Sequence, residues 1–116
     1  MLALGPSTRV FLASVPIDMR RGHDGLFAIV KTWGLDPFSG DLFCFVGKRR
    51  DRVKVLVWDR GGFLLLYKRL EKGRFQLPRI DASARTATLD ATALAMLLDG
   101  IDIEYVKRPK LWAPTR

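Results

Sequence analysis

The strongest constraint on how this chain folds lies between residues 41 and 78, where apolar positions recur every second residue. Four runs there, "DLFCFV", "RVKVLVW", "FLLLYKRL" and "RFQL", have the period of strands, because alternate side chains of a strand fall on opposite faces. Between them stand "GKRRD", "DRGG" and "EKG", each with a glycine where a reversing backbone needs positive φ. Links this short join antiparallel neighbours, whereas a parallel pair needs a crossover of a dozen or more residues. The segment therefore predicts an antiparallel meander of three or four strands. "RVFLAS", residues 9–14, predicts a further strand ahead of it, ended by Pro16.

Two stretches carry a helical period instead. Leu26, Ile29, Val30 and Trp33 make one apolar stripe, with Asp24 as the expected N-cap and Gly34 as a left-handed stop. "LDPFSG" is turn chemistry. Leu94, Leu97 and Leu98 make a second stripe, capped by Asp90 and ended at Gly100 and Ile101. "RIDASART" reads as a polar connector. The expected fold class is α+β: an antiparallel β-meander sheet of four to five strands with two short helices packed against it. At 116 residues there is room for one core, so residues 1–103 are expected to form a single domain. Residues 104–116 read as a basic tail that is frayed or ordered by a partner.

The chain's net charge of +8 is concentrated. Residues 47–79 hold Lys48, Arg49, Arg50, Arg52, Lys54, Arg60, Lys68, Arg69, Lys72, Arg74 and Arg79 against only Asp51, Asp59 and Glu71. Outside that third of the chain, acids and bases cancel. Self-repulsion opposes packing such a segment, so either a polyanionic partner or a solvated face explains it. In a meander, alternate turns emerge at the same end. "GKRRD" and "EKG" should then sit about 10 Å apart, about one Debye length at physiological salt. Lys48, Arg49, Arg50, Arg52, Lys72 and Arg74 would form one positive edge. Alternation also puts Val53, Val55 and Val57 on one face and Lys54, Leu56 and Trp58 on the other. That second face suits either base stacking between lysine and aromatics or, as the blander reading, a second apolar layer beneath a helix.

Catalytic chemistry has few parts to work with. One histidine (His23) and one cysteine (Cys44) exclude zinc sites built on those residues, and no serine sits in a nucleophile elbow. "WDRGGF" is a hairpin turn, without the sequence of a phosphate loop. Asp18, Asp24 and Asp59 could hold magnesium in principle, yet each has a turn or capping role and no spacing gathers them. The expectations are no catalysis, no cofactor and no metal. Cys44 lies within an apolar run, as a buried hydrophobe would, and a single cysteine fits a reducing, cytoplasmic setting. No apolar run reaches membrane-spanning length, and the N-terminal residues lack the layout of a signal peptide.

The order of the motifs resembles a known family. "PIDMRRGHDGL", "DPFSGDLFCFVGKRRDRVKVLVWDRGGFLLLYKRLEKGRFQLP" and "LDATALAMLLDGID" are similar to the TnpB-type accessory proteins (Orf2-like) of insertion-sequence-66 transposons, over about residues 9–102. The resemblance implies a role in moving the element beside a separate transposase that carries the catalytic acids. His23 departs from the family pattern, where an aromatic residue is usual, and the tail runs longer than in many relatives. Within the family's "DMR-G-DGL" loop, Arg20 and Arg21 admit two readings: a strand-to-helix junction, or an anion site beside a helix start. The expected function is an accessory protein that holds DNA phosphates, largely without regard to sequence, through Lys48, Arg49, Arg50, Arg52, Lys54, Lys72 and Arg74. The alternative is a module that docks its positive face on the transposase or another accessory protein. The sequence leaves the oligomeric state open.

Overall fold

In a computed structural model, residue 5 and residues 7–100 of the chain are described. Strand β1 (Val10–Ala13) and strand β2 (Leu42–Val46) have every residue buried. That is the condition of strands covered on both faces, and it accounts for their unbroken apolar runs. The two pair in parallel, Val10 opposite Leu42 and Leu12 opposite Cys44. Helix α1 (His23–Thr32) supplies the crossover that parallel pairing demands. Strands β3 (Arg52–Asp59) and β4 (Gly62–Arg69) then continue from β2 as the expected antiparallel meander. Strand β5 (Thr86–Leu89) lies antiparallel on the other side of β1, giving the order β4-β3-β2-β1-β5. Helix α2 (Ala91–Leu98) follows it directly.

The α+β class and the two packed helices are as expected, but the sheet is mixed: the meander covers β2 to β4, and the β1–β2 pair is parallel. "RFQL" forms no strand. Residues 70–85 instead leave the sheet, and Phe75 enters the core at 1% exposure. The fifth strand comes from "TATL", of which only the first residue, Thr86, belongs to the stretch read as a connector. Its two threonines and one alanine carry little apolar signal. The reason it pairs is that β1 would otherwise present a buried, unsatisfied backbone edge.

Each face of the sheet carries its own core. Val10, Leu12, Cys44, Val53, Val55 and Val57 join Leu94 and Leu97 of α2, together with Phe75. On the opposite face Phe11, Phe43, Phe45 and Leu56 meet Leu26 and Val30 of α1. Trp33 stacks on Phe45, with ring centroids 5.4 Å apart. The alternation read along β3 therefore holds, and its second face is the apolar layer beneath a helix.

Helix ends follow local chemistry. Asp90 caps α2 as expected, its carboxylate accepting from the Ala93 N–H at 2.7 Å. Asp24 does not cap α1. Gly22 holds that position, and Asp24 sits in the first turn, where its charge still complements the exposed N–H groups. Gly34, at φ 76, ends α1 in the left-handed conformation. No helix among the described residues is long and apolar enough to cross a membrane. Ile101 and the tail expected at 104–116 lie outside the described residues.

Candidate nucleic-acid interface

The β2–β3 turn, residues 47–51, is closed by Gly47 N–H donating to the Arg52 carbonyl at 3.0 Å and Arg50 N–H donating to the Gly47 carbonyl at 2.9 Å. Arg50 itself takes φ 63, in the left-handed region that side chains disfavour. After β4 the chain bends back onto this turn. Leu70 N–H donates to the Asp51 carbonyl at 2.7 Å, and Phe75 N–H donates to the Arg50 carbonyl at 2.6 Å. The "GKRRD" and "EKG" bends are thus joined through their backbones, side by side, without the strand pairing that suggested it.

Between the bends lies a notch of about 430 Å³ lined by Lys48, Arg49, Arg50, Asp51, Gly73 and Arg74. A second, of about 320 Å³, opens on the far side of the same turn, where Lys48, Arg49, Asp51 and Arg52 face Ile17, Asp18 and Met19. Lys48, Arg49, Arg50, Lys72 and Arg74 are exposed. No carboxylate among the described residues pairs with any of them. Arg52 is half-buried and lies opposite Arg69 across the β3–β4 pair. Glu71 neutralises Arg69 at 3.1 Å, whereas the buried Nε of Arg52 has no acceptor.

Three expected site residues are placed differently. Lys54 is 9% exposed: its ammonium donates to the Arg21 carbonyl at 2.8 Å and lies 5.1 Å from the centre of the Tyr67 ring. It braces the loop before α1 and is not presented to a partner. Arg20 is held by Asp18 through contacts at 2.7 to 3.2 Å. The guanidinium and the backbone N–H of Arg20 hold the Asp18 carboxyl far below the usual carboxylate range. Arg21 lays the stem of its side chain along Gly25 and contributes its carbonyl to Lys54. The Asp18–Arg20 loop also has a purpose the sequence did not disclose. A methyl group at Gly47 would fall 2.7 Å from Met19 Cγ, so this loop buttresses the basic turn by direct packing.

The remaining candidates are spread apart. Asp24 lies on α1, and Asp59 ends β3 at the opposite end of the sheet from the basic turn. No group of three or more His, Cys, Asp or Glu among the described residues could hold a metal ion. His23 is exposed at the first residue of α1. Burial pushes the Cys44 thiol up to about 12, which leaves it without thiolate character at neutral pH. Trp58 packs with Phe38 and Phe63 at centroid distances of 5.1 Å. That aromatic cluster sits at the end of the sheet away from the basic turn, and the ring beside Lys54 is that of Tyr67.

The sequence model of the family described as "IS66 Orf2 like protein" matches residues 8–108. Among curated proteins, the chain is 38% identical to an uncharacterized protein of Sinorhizobium fredii, y4jC, over 97% of both chains. It is 34% identical to a second uncharacterized protein of that organism, y4hO, over 100% of this chain and 98% of the relative. No solved structure gives a significant match.

Proposed function

The chain belongs to the IS66 Orf2-like family, accessory proteins of a transposable element, and from that premise we propose that it serves transposition by holding DNA without cutting it. The observation that carries the proposal is the junction of the two bends. It gathers Lys48, Arg49, Arg50, Lys72 and Arg74 at one end of the sheet, and no carboxylate among the described residues forms an ion pair with any of them. Arg52 adds a sixth charge behind the turn. Cations held close together by backbone bonds repel one another, and a polyanion relieves that repulsion by releasing its own counterions. Phosphate contacts of this kind position a duplex and do not read its sequence.

The experiment is a titration of labelled duplex with the Arg49→Ala/Arg50→Ala double variant at fixed salt. Affinity should fall while the thermal melting transition stays in place, since both side chains are exposed and form no ion pair among the described residues. Unchanged affinity would overturn the assignment. A second reading, docking on the transposase or a companion protein, draws support from the edge strand β4. There Leu64, Leu66 and Tyr67 are 37%, 44% and 54% exposed, beside a backbone edge that no other described strand pairs with. Mixing the protein with transposase in the absence of DNA separates the two readings.

A further inference from the structure

We infer that β4 pairs with the β4 of a second copy of this chain, antiparallel and about a two-fold axis at Leu65. The edge that could serve a companion protein thus belongs to the chain itself. β4 is the outermost strand of the described sheet, and no other described strand bonds to its free side. The turn of Arg60 and Gly61 makes Asp59 and Gly62 a hydrogen-bonded pair, and such pairs alternate along an antiparallel ladder. Gly62, Leu64, Leu66 and Lys68 therefore bond inward to β3. The Leu70 N–H, donating to the Asp51 carbonyl at 2.7 Å, continues the same even-numbered series. Phe63, Leu65 and Tyr67 then turn their N–H and C=O groups outward, as does Arg69 at the strand's end. This spacing matches itself when the strand is reversed about Leu65. Leu65 bonds to the partner's Leu65, and Phe63 to the partner's Tyr67 on either side, for about six ladder bonds.

Side chains agree with that register. Leu64 and Leu66 lie on the α2 face, opposite the buried Val57 and Val55, yet both are half-exposed. In the pair each Leu64 faces the partner's Leu66 at a non-hydrogen-bonded position, where side chains approach most closely. Four leucines then close into one patch. On the other face the exposed Tyr67 meets the partner's Phe63. Charge favours the same occupant. Residues 63–67 carry none, so an acidic segment laid along the edge finds cations only at Lys68 and Arg69. Reversal places Lys68 opposite the partner's Gly62. It also sets the Arg69 side chains of the two copies eight residues apart, about 27 Å, which is about three Debye lengths at physiological salt. The two basic turns therefore point away from each other, and their repulsion is screened. No proline or bulge interrupts Gly62–Arg69 to blunt the edge against such pairing.

An interface of this extent is at the small end of specific ones, so the dimer should dissociate at about 1–100 μM. Sedimentation of the full chain, with no nucleic acid present, should show monomer giving way to dimer across that range. Leu66→Glu, which sets a carboxylate against the partner's Leu64, should weaken the dimer by about 30-fold or more while the chain still melts cooperatively. Tyr67→Pro, which deletes an outward N–H, should weaken it as well. A disulfide tests the register. Leu64→Cys chains mixed with Leu66→Cys chains should cross-link faster than either alone, because only the mixed pair stands directly opposed and Cys44 is buried in both. Equal rates would overturn the pairing about Leu65. A monomer at every concentration would overturn the inference outright. Slow hydrogen exchange at Phe63, Leu65 and Tyr67 in that monomer would give the edge to the chain's own residues 101–116, and fast exchange would leave it to a different protein. Neither result bears on duplex binding, which the Arg49→Ala/Arg50→Ala titration decides separately.

Discussion

Asp41 joins the starts of β1 and β2. Its carboxylate accepts from the Arg9 backbone N–H at 3.0 Å, the Arg9 guanidinium at 2.9 Å and the Ser39 hydroxyl at 2.9 Å. Burial alone would raise this carboxyl, but these donors outweigh it and hold it below its usual value. A carboxyl depressed in the folded state stabilises the fold above its unfolded value near 4, and the stabilisation is lost as pH falls through the folded value. Asp41→Asn should therefore cost about 1–2 kcal/mol at pH 7, with the gap to the native protein narrowing below roughly pH 4. Denaturant unfolding at pH 7 and pH 3 reads both. A gap of constant size would show that ionisation of Asp41 contributes nothing. At Gly47 the constraint is steric, since Met19 occupies the space a side chain would take. Gly47→Ala should lower stability by about 1–3 kcal/mol, and adding Met19→Ala should recover part of that loss. Strict additivity of the two changes would refute the contact. Neither residue drew attention in the sequence beyond a turn glycine and a motif methionine, because the contact joins positions 28 residues apart.

The β3–β4 hairpin turns on Arg60 and Gly61, both at positive φ (44 and 88), the signature of a type I′ turn. Arginine is a poor occupant of the first position, where asparagine or glycine is preferred. Arg60→Asn should raise stability by about 0.5–1 kcal/mol, visible as a higher melting temperature. Because this turn lies at the opposite end of the sheet from residues 47–51, duplex affinity should barely change, and a marked loss would place DNA contacts at both ends. Hairpins of this kind were legible because turn and strands are adjacent in sequence. The β1–β5 pair was not. It forms between residues more than 70 positions apart, and its partner strand carries threonine and alanine where a pattern would need larger side chains. "RFQL" misled for the complementary reason. Its alternation is genuine, but Phe75 is drawn into the core on the α2 side, and burial of one large ring outweighs two or three ladder bonds.

Across the whole molecule the charge is polarised. Residues 47–51 and 72–74 carry five cations at one end of the sheet that no carboxylate among the described residues pairs with, and the aromatic cluster of Phe38, Trp58 and Phe63 occupies the other. If five cations meet phosphates, the logarithm of affinity should fall with the logarithm of salt at a slope of about −4 to −5, and by about 2 less in the Arg49→Ala/Arg50→Ala variant. Titrations between 50 and 200 mM salt measure it, with a change of about 250-fold to 10³-fold expected for the native chain and about 15-fold to 60-fold for the variant. A slope near zero would mean that charge is not what holds the duplex.

Local chemistry was enough to determine which residues are strands and helices at β1 to β4, α1 and α2, where α2 is capped, and that the excess charge falls in one third of the chain. These depend on spacings of two to four residues, and the backbone obeys such spacings wherever they occur. Tertiary packing alone decided the rest. It made β1 and β2 parallel, recruited β5 and withdrew Lys54 beneath Arg21. It also set Met19 under Gly47 and opened a notch on each side of the basic turn. Each of those outcomes is a contact between distant positions, formed because a buried backbone edge, a ring or a charge had to find a partner, and no local pattern records which one it finds.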